Sequence, residues 1–297
     1  MLDVIGIGSA SADFCNQIDK YPEWDTKGIV DNLIIRGGGS SANTIVGCKR
    51  LGLNTGFIGI CSDDHFGKVI VSSLEKENID ISRLVIEKNK KSQVAFCFSE
   101  LASGKRTIFR HRGSVSKLSG NDLDINYLRS ARMLHFDLRH YKACIKASEM
   151  VNKSDVRIYI DAGGEITENH DLFHLGDYLF FSKDRAEELS GETDPEKMIK
   201  ALSIFNNEIL GITLGQDGCI ILQKGNIRLF PAFSCDSILD TTGAGDAFNA
   251  GMIKAILNKM DISDAINFAS AVAVLSCSKP SARDGLPMLK DVQEFLK

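Results

Sequence analysis

The sequence has no excess of positive charge: 35 lysines and arginines stand against 39 aspartates and glutamates, a formal net charge of −4. It therefore has no basic field of the kind that holds nucleic acid, and any polyanionic ligand must be gripped by local dipoles and a few placed cations. The eight cysteines (15, 48, 61, 97, 144, 219, 235 and 277) contain no Cys-x-x-Cys pair. Scattered in this way, they fit reduced thiols in a cytoplasm better than a disulfide framework or a zinc site. An uninterrupted apolar run of about 18 residues is also missing, so nothing reads as membrane-spanning. The first residues, Met-Leu-Asp-Val-Ile-Gly, bring an acid at position 3 and make no signal peptide. There is no linker, low-complexity segment or fixed-period repeat. The expectation is a soluble, cytoplasmic chain of one domain spanning residues 1–297.

What is present is material for a large core, 43% of 297 residues being hydrophobic, arranged as short β-rich runs alternating with helical patterns. Strands are expected at Val4–Gly8, Thr55–Cys61, Met133–Phe136, Arg157–Asp161, Tyr178–Phe181, Ile209–Leu214 and Cys219–Leu222. Helices are expected at Ser41–Leu51, Gly67–Glu77, Ala143–Val151, Pro195–Phe205, Asp246–Asn258 and Ser263–Ser276. That alternation predicts an α/β fold, a Rossmann-like, mostly parallel sheet flanked by helices. Gly28–Arg36 and Gln93–Arg112 break the rhythm, being strand-like with no helix between them. They predict a small β-sheet lid built from segments of about 14–36 and 93–112.

The strongest chemical signal is Asp240-Thr241-Thr242-Gly243-Ala244-Gly245-Asp246, followed by a helical pattern. Glycines before a helix leave the backbone N–H groups of Gly243, Ala244 and Gly245 free to converge on an anion, reinforced by the helix dipole. Asp246 falls in the first turn. A carboxylate facing such an anion hole is what phosphoryl transfer to an alcohol needs, the donors stabilising phosphoryl oxygens while the carboxylate takes the hydroxyl proton. The same residues also describe a plain glycine turn with an aspartate cap before an ordinary helix. Gly6-x-Gly8 fails as a dinucleotide fingerprint, because Ser11 occupies the sixth position and Asp13 and Pro22 follow too soon for a phosphate-binding helix.

With Ala247 and Phe248, the segment resembles the C-terminal signature D-T-x-G-A-G-D-x-F of the ribokinase-like (phosphofructokinase B) family of carbohydrate kinases. Gly37-Gly38-Gly39-Ser40-Ser41-Ala42-Asn43 resembles that family's N-terminal glycine-rich signature. Gly59-Ile60-Cys61-Ser62-Asp63-Asp64-x-x-Gly67 and Ile212-Thr213-Leu214-Gly215-x-x-Gly218 extend the similarity through the chain. The resemblance implies an ATP-dependent kinase that phosphorylates a sugar hydroxymethyl group with Asp246 as base. It implies that Asp13 grips the sugar, accepting from two hydroxyls at once, and that Gly38, Gly39 and Asn43 line the same pocket. Thr213, Gly215 and Gly218 then bind ATP phosphates and ribose, Ser182 borders the nucleotide, and Ser270 lines the adenine pocket. Asp240 and Thr242 match a monovalent-cation (K⁺) site. Mg²⁺ is expected with ATP, held through phosphates and water. Ser182 and Arg185 stand where many members have N-x-x-E, which puts protein contacts to Mg²⁺ in doubt.

Lys27, Arg36, Arg110, Arg112 and Arg139 fall in segments expected near the sugar. Lys27 with Asp137-Leu138-Arg139, and the run Cys277 to Pro287, resemble sulfofructose kinases. Ala102–Ile108 and Phe181–Asp184 resemble ketohexokinases. Together these imply a ketose-like substrate, tilted by the arginines toward an anionic one, read by Lys27, Arg110, Arg112 or Arg139. A nucleoside kinase would want an aromatic sandwich, for which 7% aromatics and the lone Trp24 give no support. A silent sugar- or nucleotide-binding regulator would not need Asp246, and glycosidic chemistry would want a lysine in the anion-hole turn. His170-x-x-x-His174 has the spacing of one helix face but no third ligand nearby. An apolar lid face needs a cover, so a homodimer through the lid is expected.

Overall fold

The computed structural model describes residues 1–30, 33–164, 170–234 and 238–297. The chain opens with β1 (Leu2–Ile7), β2 (Ser11–Ile18), β3 (Ile34–Gly38), α1 (Ser40–Arg50), β4 (Thr55–Ile58), β5 (Ile60–Ser62) and α2 (His65–Lys76). It continues through β6 (Val85–Glu87), β7 (Val94–Glu100), β8 (Arg106–His111), α3 (Ile125–Leu128), β9 (Ala131–Phe136), α4 (Tyr141–Val151) and β10 (Arg157–Ala162). Next come β11 (Tyr178–Ser182), α5 (Lys183–Ser190), α6 (Pro195–Leu202), β12 (Ile209–Thr213), β13 (Cys219–Gln223) and β14 (Asn226–Phe230). The last elements are α7 (Ala244–Leu257), α8 (Ile262–Ser276) and α9 (Leu289–Phe295).

Six strands in the order β4-β1-β9-β10-β11-β12 run parallel, and β13 and β14 extend the sheet antiparallel to eight. Successive strand residues alternate between two cores, as the pleat requires. Met133, Tyr159 and Phe180 face α1, α2, α7 and α8, while Leu134, Ile158, Ile160, Leu179 and Phe181 face α4, α5 and α6. The α/β architecture read from the sequence is the one observed.

A second sheet of four strands has the order β3-β2-β7-β8. Here the structure corrects the reading in two places. Residues Ser11–Ile18 form a full strand, so the second sheet begins before the expected segment of about 14–36 and Asp13 sits inside it. The strand expected over Gly28–Arg36 is confined to Ile34–Gly38; residues 28–30 are exposed and neither helical nor extended, and 31–32 lie outside the described residues. Ser-Ala-Asp-Phe-Cys-Asn-Gln-Ile has no β-branched residue before its last position, which is why β2 left little trace. The run Thr55–Cys61 is split at Gly59 into β4 and β5, the latter pairing with β6. Among the described residues, no helix is long and apolar enough to cross a membrane.

Candidate active site

A cavity of about 410 Å³ opens at the carboxyl ends of the parallel strands, where Ser9, Asp161, Ser182 and Thr213 reach it. This is the position in which open α/β sheets place ligands. The amino termini of α1 and α7 point into it through Gly39, Ser40, Gly243 and Gly245. Its roof is the face of the four-stranded sheet formed by Ser11, Asp13, Ala95, Cys97, Arg106, Ile108 and Arg110.

The two helix starts rest on glycine for a stated reason. Gly39 precedes α1 at φ 96°, and a Cβ there would lie 2.6 Å from Ala10 Cα. Gly243 caps α7 in the left-handed region at φ 80°, where a Cβ would lie 2.6 Å from Ala282 Cβ. A side chain at either place meets both strain and a clash. At the head of α7 the Ala244 N–H closes a turn onto Thr241 O at 3.3 Å. The N–H groups of Gly243, Gly245 and Asp246 have no acceptor among the described residues, the arrangement that attracts an anion.

Asp246, in the first turn of α7, accepts from Ser40 Oγ at 2.7 Å on one oxygen and from Asn43 Nδ2 at 2.8 Å on the other. Burial pushes its carboxyl up to about 7, neighbouring Asp161 pushes the same way, and the Asn43 and Ser40 bonds resist. Asp161, at the end of β10, is itself raised to about 6 by burial, against the pull of the Gly163 N–H at 2.8 Å. Ser40 Oγ lies 3.0 Å from Asp161 as well. A hydroxyl has one hydrogen and can serve only one carboxylate at a time, so the pair disfavours double ionisation. Tyr159 donates to Asn249 Oδ1 at 2.8 Å, which turns the Asn249 amide nitrogen toward Asp161. A carboxylate poised near neutrality in a donor-lined cavity has the properties of a general base.

Asp13 accepts from Ser11 Oγ at 2.5 Å, and burial raises it to about 6 against Ser11 and the charge of Arg283. Its carboxylate occupies the space over Gly38, where a Cβ would come within 1.8 Å of Asp13 Oδ2. The glycine makes room for the acid and does not itself line the cavity. Asp137 accepts from Ser9 N (2.8 Å), Ser9 Oγ (2.5 Å), Ser41 N (3.1 Å) and Arg139 N (3.0 Å), tying the end of β9 to the head of α1.

Other candidates separate by position. Asn43, Arg110, Ser182, Thr213 and Thr242 reach the cavity. Lys27 is exposed on an irregular stretch, and Arg139 is half-buried; neither lines the cavity. Gly215 and Gly218 bound a tight turn after β12, and Ser270 sits half-buried on α8, all three outside the lining. Asp240 is buried and accepts from Thr242 N (2.8 Å) and Ser281 N (2.9 Å), while Thr242 Oγ1 is buried without a partner. His170 stacks on Phe173 and His174 meets Phe205 edge to face, and no group of three metal-ligating side chains forms among the described residues. Asp161 entered the site without a motif to announce it, while Ser40, Arg106 and Arg283 stand inside the runs Gly37–Asn43, Ala102–Ile108 and Cys277–Pro287 with no role of their own read there. An acid at the end of a parallel strand, as at Asp161, is the signal that was available.

Residues 1–289 match the model of the pfkB family carbohydrate kinases. The chain belongs to that family. It is 27% identical to the ribokinase of Haemophilus influenzae, an alignment covering 98% of this chain and 97% of that one. It is 28% identical to the 5-dehydro-2-deoxygluconokinase of Clostridium tetani, covering 100% and 93%. Its fold superposes on the Arabidopsis thaliana ribokinase complexed with ribose and ATP at a TM-score of 0.86, with 22% identity and 100% and 99% coverage. The pfkB family member described here is a kinase, an ATP-dependent phosphotransferase.

Proposed function

We propose that the enzyme transfers the γ-phosphoryl group of ATP to a hydroxymethyl group of a sugar, with Asp246 as general base. The observation that carries this reading is the Asp246 carboxylate at the head of α7, beside unused N–H donors and beneath a lid that supplies Asp13. Asp246 takes the hydroxyl proton as the oxygen attacks phosphorus, ADP leaves, and the N–H groups of Gly243 and Gly245 stabilise the transferring oxygens. We assign Ser182 and Thr213, which line the cavity, to the nucleotide, and Gly215, Gly218 and Ser270, outside the lining, to its outer contacts. Arg185 donates to Gly164 O at 3.1 Å and pairs with Glu188, so its position offers no metal ligand. We therefore write Mg²⁺ as part of the MgATP substrate. Thr242 Oγ1, buried and unpartnered, fits a K⁺ ion held with Asp240, which would add positive charge near the anion hole. The reaction is assigned to the cytoplasm, in keeping with seven free cysteines among the described residues.

The substrate is read as a ketose-like sugar bearing an acidic group. Arg106, Ile108 and Arg110 alternate along β8 so that both arginines face the cavity. Neither relative above bears the narrower names suggested by local motifs, but one is named for a gluconate-derived, hence acidic, sugar. All lid-strand aromatics (Phe14, Phe96, Phe98 and Phe109) fall on the opposite face, which disfavours a nucleoside base beneath the lid. Arg110→Met is expected to lower kcat/KM for an anionic ketose by about 2–4 kcal/mol in transition-state stabilisation and to leave its neutral analogue nearly unchanged. A thermal-shift panel of neutral, phosphorylated and sulfonated ketoses with a nonhydrolysable ATP analogue would choose the test pair. A wild-type preference for free fructose over every anionic sugar would overturn the charge assignment.

The outer lid face supports a homodimer. Ile35, Phe14, Phe96 and Phe109 are direct cross-strand neighbours over all four strands, and Phe96 and Phe109 are 41% and 60% exposed. An apolar ladder of this kind is covered in a stable protein. Light scattering at tens of micromolar, with sugar and nucleotide present, should report a dimer that Phe109→Asp converts to monomer; a wild-type monomer refutes it.

A further inference from the structure

Arg283 lies in the turn between α8 and α9, within the run from Cys277 to Pro287. Its side chain is 5% exposed, and among the described residues no carboxylate lies within 4 Å of its nitrogens. Burying a guanidinium without a direct ion pair is costly. Its charge is offset only at longer range, by Asp13, Glu77 and Asp246, and opposed by Arg50. One short bond leaves it: Nε donates to Asn43 Oδ1 at 2.7 Å, while the contact of Nη1 with Ser73 Oγ is 3.5 Å.

We infer that Arg283 is a positioning residue for the base, acting through Asn43: its Nε–H holds the amide oxygen, so that the amide nitrogen faces Asp246. The inference rests on Asp246 being that base. A guanidinium can only donate, so whatever meets Nε must be an acceptor. The two ends of a carboxamide have nearly the same shape, and only their hydrogen-bond partners choose between them. With Oδ1 held by Arg283, Nδ2 is left to donate to Asp246 Oδ2 at 2.8 Å. A donor there favours the ionised carboxylate, the form able to accept a proton. An amide turned the other way would present oxygen to oxygen and favour the protonated acid.

The groups facing Asp246 are Ser40 and Asn43 from α1, Asp161 from β10, Asp137 beyond β9, and Arg283. Two of these are like charges that resist ionisation, so an amide donor of fixed orientation opposes them. Thr44 Oγ1 contacts the Asp246 carbonyl at 3.4 Å and bears on the backbone alone.

Glutamine and methionine separate this role from charge. Gln Nε2 stands the same number of bonds from Cα as Arg Nε and donates; Met has the same length and does not. The experiment is the pH profile of kcat/KM for phosphorylation by the full-length enzyme. Arg283→Gln should keep the acid limb where wild type has it. Arg283→Met should move the limb to higher pH by about one unit, losing about tenfold below the limb and little above it. If both variants shift alike, Arg283 acts by charge; if neither shifts, it acts only as packing, and either result overturns the inference. Should Arg283→Met not fold, Asn43→Leu removes the same donor and should raise the limb; a limb left in place is equally fatal. Asp246→Asn distinguishes the two levels, because an Asp246→Asn enzyme that keeps the limb refutes the base assignment itself.

Discussion

Asp246→Asn is expected to lower sugar-dependent ADP release by about 10²–10⁴-fold, the usual worth of a positioned base, while ATP binding stays near normal. The amide keeps the volume and the link to Ser40, and the unused N–H groups of Gly243 and Gly245 are untouched. Only the capacity to accept the proton is lost. Turnover within about tenfold of wild type would remove Asp246 from the mechanism. The same variant carries a stability signature. The Asp246 carboxyl is raised from 3.8 to about 7 in the folded chain, so the native state binds the proton more tightly than the unfolded one. Its favourable contribution is complete below the unfolded value and is lost as pH rises through about 7. Removing the ionisable group should therefore stabilise the protein at pH 8 by on the order of 2–4 kcal/mol and change little near pH 4. A site that is stabilised and silenced by one substitution is holding a charge for function.

What could be read from the sequence divides along physical lines. The parallel core was legible because strands buried on both faces are continuous apolar runs, as at Tyr178–Phe181, and helices announce themselves by period and by caps. Asp246 drew notice because its glycine turn comes with the flanking residues of the family signature, the turn alone being equally an ordinary helix start. The strand β2 was not legible, since Ser11 and Asp13 are polar residues buried beside the cavity they line, against the ordinary pattern. Arg283 stood in the run from Cys277 to Pro287 and Asp161 at the end of an expected strand, but what each would meet was silent for a related reason. Their roles arise from meeting Asn43 and Ser40, which lie 240 and 121 positions away in the chain, and no local spacing encodes that meeting. Lys27 illustrates the converse, a cation that looked suited to the pocket by its place in the chain but is exposed and outside its lining.

Asp13→Ala is expected to raise KM for the sugar by about 10²-fold and to leave KM for ATP nearly unchanged. Asp13 lies on the cavity face of β2, between Arg36 of β3 and Ala95 of β7 in the strand register, with Arg110 of β8 one strand further on. Ser11 Oγ engages one of its oxygens, and Gly38 clears the space around the other. A charged acceptor can take two sugar hydroxyls, worth on the order of 3 kcal/mol together, and each 1.4 kcal/mol is a factor of ten. The side of the cavity proposed for the nucleotide, at Ser182 and Thr213, belongs to the main sheet and is not built from β2. Removing the carboxylate should therefore separate the two substrates kinetically. Because burial raises the Asp13 carboxyl to about 6, the wild-type sugar KM should itself worsen as pH falls through that value, and the alanine variant should lose this dependence. Asp13→Asn, which retains one acceptor oxygen, should fall between the two. Equal increases in KM for sugar and for ATP would instead show that Asp13 only shapes β2, with the space over Gly38 serving the lid rather than the substrate.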